Sequence, residues 1–184
     1  MSGNRYFFFF ELKRDQQVCI IEPRDDFLDL VQIHDITLVR PAESERRQRL
    51  FRILALATDI PHLGKIDGAT GSAHKRSPQC GSSVTAHVVM RDGHIADFGQ
   101  EVRACALGQA SAGVLGAVAL GRSRDEIARA RDELQAMLKT EAPVPAAPFD
   151  GLEALLPARE FPNRHASILL AWEALLGAID ASPA

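Results

Sequence analysis

A chain of 184 residues, 46% hydrophobic and 24% charged, can bury one core and has the composition of neither a disordered nor a fibrous protein. Its net charge of -3 supplies no basic surface of the kind nucleic acid requires, which points away from nucleic acid as a partner. Three widely spaced cysteines, Cys19, Cys80 and Cys105, form no secreted disulfide framework and imply a reducing compartment, read here as the cytoplasm.

The aromatic run Tyr6 to Phe10 is ended by Glu11, Lys13, Arg14 and Asp15, far short of a membrane span, so no membrane partner is expected. Val18 to Ile21 and Leu30 to Val39 are further short apolar segments. Residues 1–45 therefore read as an extension, equally an added strand pair or a leader, before a main domain expected over 46–182. Cys19, between Val18 and Ile20, is most simply a small buried hydrophobe.

From Ser44 the pattern is helical, with Leu50, Ile53, Leu54 and Ala57 at spacings of three and four and Arg46, Arg47, Arg49 and Arg52 on the remaining surface. Pro61 and Gly64 mark its end. Gly68 to Pro78, rich in Gly, Ser, Ala and His, is expected to be a loop, and a loop of this length in a compact domain is often functional. Val84, Ala86, Val88 and Met90 then alternate with Thr85, His87 and Val89, as a half-buried strand does. Arg91-Asp-Gly-His94 supplies a hairpin turn, Ile95 to Phe98 the returning strand, and Val102 to Cys105 a third alternation after Gly99.

Cys105 to Gly121 is apolar on nearly every side and built of small residues, so it should be a buried helix whose backbone lies close to the sheet. Ser123-Arg-Asp-Glu126 has the form of a capping box, followed by the apolar stripe Ile127, Leu134 and Leu138. Glu141 to Pro148 is a stiff connector, and Ile168, Leu169, Trp172, Leu175, Leu176 and Ile179 mark a final helix. The expected fold is α+β, a three-stranded antiparallel sheet packed against several helices.

Cys80 stands just before a strand, Cys105 at a strand-to-helix junction and His165 at the start of the last helix, all element ends where side chains can converge. Each also has an ordinary reading: packing for the cysteines, capping or surface exposure for His165. His62, His87 and His94 read as ordinary, and Ser82 and Ser83 as satisfying a turn backbone.

The order Pro-Gln-Cys80-Gly, then Ala104-Cys105-Ala-Leu-Gly-Gln-Ala-Ser-Ala, then Arg164-His-Ala-Ser-Ile-Leu-Leu-Ala-Trp172 resembles the NifU amino-terminal, IscU/SufU-type family of iron–sulfur cluster assembly scaffolds, from about Leu50 to Ile179. The family pattern is Cys-Gly-Asp, Ala-Cys-Ala and a third cysteine opening the last helix. Cys80 and Cys105 match two of these cysteines, and Ser82 stands where the family has an aspartate. The third position falls on His165, or, with a shift of one or two residues, on Ala166 or Ser167.

The resemblance implies a carrier rather than an enzyme, which takes sulfur from a cysteine desulfurase as a persulfide on Cys80 or Cys105, joins it with iron, and passes a transient cluster, expected as 2Fe-2S, to acceptor proteins. Cys80, Cys105 and His165 would be ligands, with Ser82 a weak fourth and His74, His87, solvent or a partner's cysteine as alternatives. Two other classes stay open: a zinc-bearing sulfur-relay partner of a desulfurase, and a diverged interaction module without metal. A thiol hydrolase is a more remote fourth, because no orienting acid or oxyanion site is recognisable.

Overall fold

The computed structural model describes residues 10–13, 16–19, 41–78 and 81–183. The chain divides into two units, Met1–Leu50 and Phe51–Ala184. In the first, β1 (Phe10–Lys13) and β2 (Gln16–Cys19) pair antiparallel, with Phe10 opposite Cys19 and Lys13 opposite Gln16. The apolar segment Leu30 to Val39 lies outside the described residues. Helix α1 spans Pro41–Thr58. Of its apolar repeat, Ile53 and Ala57 are buried, whereas Leu50 and Leu54 are exposed, so the buried stripe is narrower than the periodicity suggests.

The second unit is built on a sheet of order β3-β4-β5, with β3 at Gly71–Arg76, β4 at Ser83–Arg91 and β5 at His94–Arg103. Both joins are antiparallel, and the Asp92-Gly93 hairpin forms with both residues at positive φ. Two expectations change here. The segment expected as a loop contains β3, and the second and third alternations are one strand, β5.

The reason is packing that local composition does not announce. Gly71 lies against the Ala178 carbonyl and Ser182, and a Cβ at Gly99 would sit 2.7 Å from the Gly64 carbonyl oxygen. Each glycine admits a neighbouring backbone rather than breaking its strand.

One sheet face carries Val84, Ala86, Val88, Ile95 and Phe98 into the core. Gln100 shares that face, and its amide donates to the carbonyls of Pro61 and Ala112 at 3.0 and 3.1 Å. Helix α2 (Ala106–Val118) and helix α4 (Pro162–Asp180) pack on each other, and α4 also covers β3 and β4. Between them run α3 (Arg124–Lys139) and a 3-10 segment, Asp150–Glu160, which the sequence pattern did not announce. Ser123 caps α3 with both halves of the capping box formed. Trp172, Leu115, Leu134, Leu152, Leu155, Ile168 and Leu175 are fully buried. Each such side chain contributes roughly 1.5–3 kcal/mol. The α+β architecture is as expected. Among the described residues, no helix is long and apolar enough to cross a membrane.

Candidate functional site

Three elements bring their ends together at one edge of the sheet. Strand β5 ends at Arg103, and two residues on Cys105 takes the N-cap position of α2 in an extended conformation, φ -67° and ψ 167°. Its carbonyl accepts from the Gln109 N–H at 2.8 Å, while its side chain makes no capping bond and is left for other contacts. No acidic residue stands in the first turn of α2, so that helix end remains attractive to negative charge.

The Cys105 Sγ lies 3.5 Å from Ser167 Oγ on α4, and the Ser167 hydroxyl donates to Ser82 Oγ at 3.1 Å. Because Ser167 has one hydroxyl hydrogen and gives it to Ser82, its oxygen is the acceptor toward the Cys105 thiol. Ser82 and Ser167 are 5% and 1% exposed, while Cys105 is half-buried, so the thiol forms the outer member of the group. Gly108, one turn after Cys105, permits the approach: a Cβ there would stand 2.6 Å from Ser167 Oγ and 2.9 Å from the Ser167 carbonyl oxygen.

Ser82 is held by the turn that precedes β4. The Ser77 N–H donates to the Ser82 carbonyl at 2.8 Å and the Gly81 N–H to the Ser77 carbonyl at 3.1 Å, with Gly81 at φ +70°. The positive φ is a conformation that glycine adopts without steric cost. Ser77 is buried, and its hydroxyl has no partner among the described residues. Cys80, named from the sequence as a ligand and sulfur acceptor, lies outside the described residues.

His165 stands elsewhere. It is buried, and its Nε2 lies 2.9 Å from the Ala158 carbonyl, so that nitrogen carries a hydrogen and donates it. With Arg159, Leu138 and Leu169 it lines a cavity of about 520 Å³ between α3 and α4. Two positions along a helix turn a side chain through about 200°. His165 and Ser167 therefore leave α4 on different sides, and the structure does not place His165 in the group with Cys105. Ala166, between them, is exposed and offers no donor atom.

His74 and His87 lie on the sheet face opposite the core. His74 Nδ1 is 3.0 Å from Thr85 Oγ1, and His87 bridges Ser72 Oγ at 2.8 Å and the Glu101 carboxylate at 3.3 Å. These are cross-strand pairs, apart from the thiol. Among the described residues no three His, Cys, Asp or Glu side chains come together as a metal site. The Cys105 thiol thus has the Ser167 hydroxyl as its polar neighbour, and through it the hydroxyl of Ser82. Hydroxyls are weak ligands for iron or zinc, but they can hydrogen-bond a sulfur atom.

No family model matches the sequence. The chain is 26% identical over 127 residues to the iron–sulfur cluster assembly scaffold protein IscU of Thermotoga maritima, covering 69% of this chain and 89% of that protein. Among solved structures it is similar to the amino-terminal part of a nitrogen-fixing NifU-like protein from Brucella abortus, with 37% identity, a TM-score of 0.70, and 73% and 95% of the two chains covered. A putative iron–sulfur cluster assembly scaffold for the SUF system from Fervidobacterium islandicum shares the fold at 23% identity and a TM-score of 0.62, over 70% of this chain and 93% of that one.

Proposed function

Because this chain belongs to the NifU amino-terminal, IscU/SufU-type family of iron–sulfur cluster assembly scaffolds, we propose that it receives sulfur and iron at the sheet edge around Cys105 and hands the product to an acceptor protein. The observation that carries this reading is the convergence of Cys105, Ser82 and Ser167 from three separate elements, with the thiol outermost. A partner can reach such a thiol, while the buried hydroxyls fix its surroundings.

Sulfur transfer onto Cys105 needs no outside oxidant or reductant. The Cys105 thiolate attacks the outer sulfur of a persulfide on a cysteine desulfurase. The donor's S–S bond breaks, its cysteine leaves as a thiolate, and a new S–S bond forms on Cys105. Ser167 sits within reach to turn its hydroxyl toward the sulfur once the thiol proton has gone. Two further cysteine thiols, oxidised to their disulfide, supply the two electrons that release the persulfide sulfur as sulfide and free the Cys105 thiolate. Iron then joins this sulfide as cargo, with Cys80 and Cys105 proposed as its thiolate ligands and the product proposed as a transient 2Fe-2S cluster.

The third donor is proposed to be His165 through Nδ1. Its other nitrogen faces a backbone carbonyl, an arrangement common for ligating imidazoles because it fixes the tautomer. Ser82 is proposed as a hydrogen-bonding neighbour of the cargo. The scaffold domain is proposed to span residues 46–182 and to work as a carrier in the reducing cytoplasm.

A zinc-bearing sulfur relay is a second reading. The hydroxyl neighbours favour its relay step, since they suit a persulfide, although as ligands they are as weak for zinc as for iron. Anaerobic incubation of the full chain with a cysteine desulfurase, cysteine and ferrous iron tests both. Iron and acid-labile sulfide bound together, with visible charge-transfer absorption lost in Cys105→Ser, support the scaffold. Stable zinc with persulfide on Cys105 and no cluster supports the relay. Neither metal nor persulfide would sink both.

A further inference from the structure

The last row of the sheet runs Arg76, Ser83, Arg103 across β3, β4 and β5. Directly paired residues share a face, so both arginines stand on the side opposite the core, about 10 Å apart at Cα. Ser83 follows Ser82 in the chain, and Arg103 precedes Cys105 by two residues, so this row borders the thiol. A third arginine, Arg164, lies in the first turn of α4 three positions before Ser167, which puts it on Ser167's side of the helix, nearer the end.

Arg76, Arg103 and Arg164 are all exposed, and none has an ion-pair partner among the described residues. Glu101, in the next row of the same face, is turned to His87 at 3.3 Å. Phe161, the N-cap residue of α4, is 50% exposed beside Arg164. In a chain whose net charge is -3, this is a local concentration of cations with an aromatic edge. Arg52, Arg122, Arg124 and Arg131 of the second unit each face a carboxylate and Arg159 two backbone carbonyls, while Arg91 and Arg129, exposed and likewise without an ion pair among the described residues, lie away from this end of the sheet.

We propose that Arg76, Arg103 and Arg164 form a cationic rim that docks an acidic segment of the protein delivering sulfur to Cys105. The inference rests on the functional reading above and adds the chemistry of the partner. Like-signed side chains at the same end of the sheet as a half-buried thiol, two on the outer face and one on α4, attract a carboxylate-bearing segment toward it, with an effect on association rate that falls as salt rises. Guanidinium groups suit this role because each grips a carboxylate with two parallel hydrogen bonds. Phe161 gives the segment an apolar contact at the rim.

The test uses the full chain carrying Cys19→Ser and Cys80→Ser, so that Cys105 is the reacting thiol. Two synthetic peptides of one length, one rich in Asp and Glu and the other with Asn and Gln in their places, each carry a cysteine activated as a mixed disulfide with thionitrobenzoate. Attack by the Cys105 thiolate joins the peptide through a disulfide and releases the coloured thiolate. The acidic peptide should react on the order of tenfold faster in low salt, with the advantage lost near 0.5 M salt. Arg76→Gln/Arg103→Gln/Arg164→Gln should remove the preference, and the corresponding Glu variant should reverse it. Iodoacetamide, which is uncharged, should alkylate all three proteins at rates within about twofold.

Equal rates for the two peptides in the arginine protein overturn the rim, as does a preference that survives the triple Gln change. Cluster formation with a desulfurase is scored separately. A protein that builds cluster but shows no peptide preference loses only the rim, and one that shows the preference but takes no sulfur or iron loses only the scaffold reading.

Discussion

Cys105 and Ser167 are 62 positions apart in sequence, yet Sγ and Oγ lie 3.5 Å from each other, and the contact depends on the absence of a side chain at Gly108. The helix that Cys105 opens thus carries, one turn on, the vacancy that lets α4 deliver its hydroxyl.

Gly108→Ala should separate the two groups. The added methyl would meet Ser167 Oγ at 2.6 Å and its carbonyl oxygen at 2.9 Å, and backbone cannot step aside cheaply. A loss of about 1–3 kcal/mol in urea unfolding is expected, together with slower persulfide formation on Cys105. Gly151→Ala serves as the comparison, since its nearest neighbour would be a Val114 methyl at 3.4 Å. That variant should unfold within about 0.5 kcal/mol of the parent.

Ser111→Ala should loosen the core beneath the site. Trp172 Nε1 donates to Ser111 Oγ at 3.0 Å, and Ser111 donates onward to the Ile168 carbonyl at 2.7 Å, all of it buried. Removing the hydroxyl leaves the indole N–H without an acceptor, at a cost of about 1–3 kcal/mol. Trp172 is the single tryptophan, so its fluorescence in a denaturant titration reads the change directly.

His165 has two separable duties. His165→Ala removes both the bond to Ala158 and the proposed third donor, and iron retention after desalting should fall by about tenfold or more. His165→Gln, whose amide nitrogen reaches where the imidazole Nε2 stands, can still donate to that carbonyl. It should recover most of the lost melting temperature without recovering the iron. Iron retention restored by Gln would show that the ring is not a ligand.

Acid should loosen the contact between α3 and α4. The Arg124 guanidinium bonds Asp180 through two nitrogens, at 2.6 and 3.2 Å, and this holds the Asp180 carboxyl below its ordinary value. The Ser123 backbone N–H likewise holds Glu126 low, assisted by Arg122 and the Ser123 hydroxyl. For both groups the folded value lies below the unfolded one. Their stabilisation is therefore complete at neutral pH and is lost as pH falls below about 4, through the folded values. Both pairs are largely exposed, so each contribution is modest. Urea midpoints measured from pH 7 to pH 3 should fall less steeply for Arg124→Gln than for the parent.

What could be read from the sequence was what is decided locally. The Ser123–Glu126 capping box, the Asp92-Gly93 hairpin and the small-residue helix after Cys105 are all present, because their signals lie within a few residues of the structure they specify. Strand β3 was illegible because its weak strand formers, Gly71, Ser72 and Ala73, are held by pairing with β4 and by the cover of α4. Gly99 split β5 in the reading, since its role is set by Gly64 across a loop. At the site, element ends alone grouped Cys105 with Cys80 and His165, and Ser82 entered only through the family resemblance. Which residue of α4 would face them depended on helix phase at its first turn, where a shift of one residue turns a side chain by about 100°.

Gly108, Gly113 and Gly116 each admit a different neighbour to the flank of α2: Ser167 of α4, the Leu56 carbonyl of α1, and Gln100 with Pro61. At those places the helix meets its surroundings through main chain, which is the same for every sequence. The gauge of the site is accordingly set by parts that substitution elsewhere does not alter. Donor groups around Cys105 can then be exchanged, hydroxyl for carboxylate or thiol, like fittings on a frame already cut to size. Ser82→Asp is one such exchange, and it leaves the spacing between α2 and α4 to the glycines.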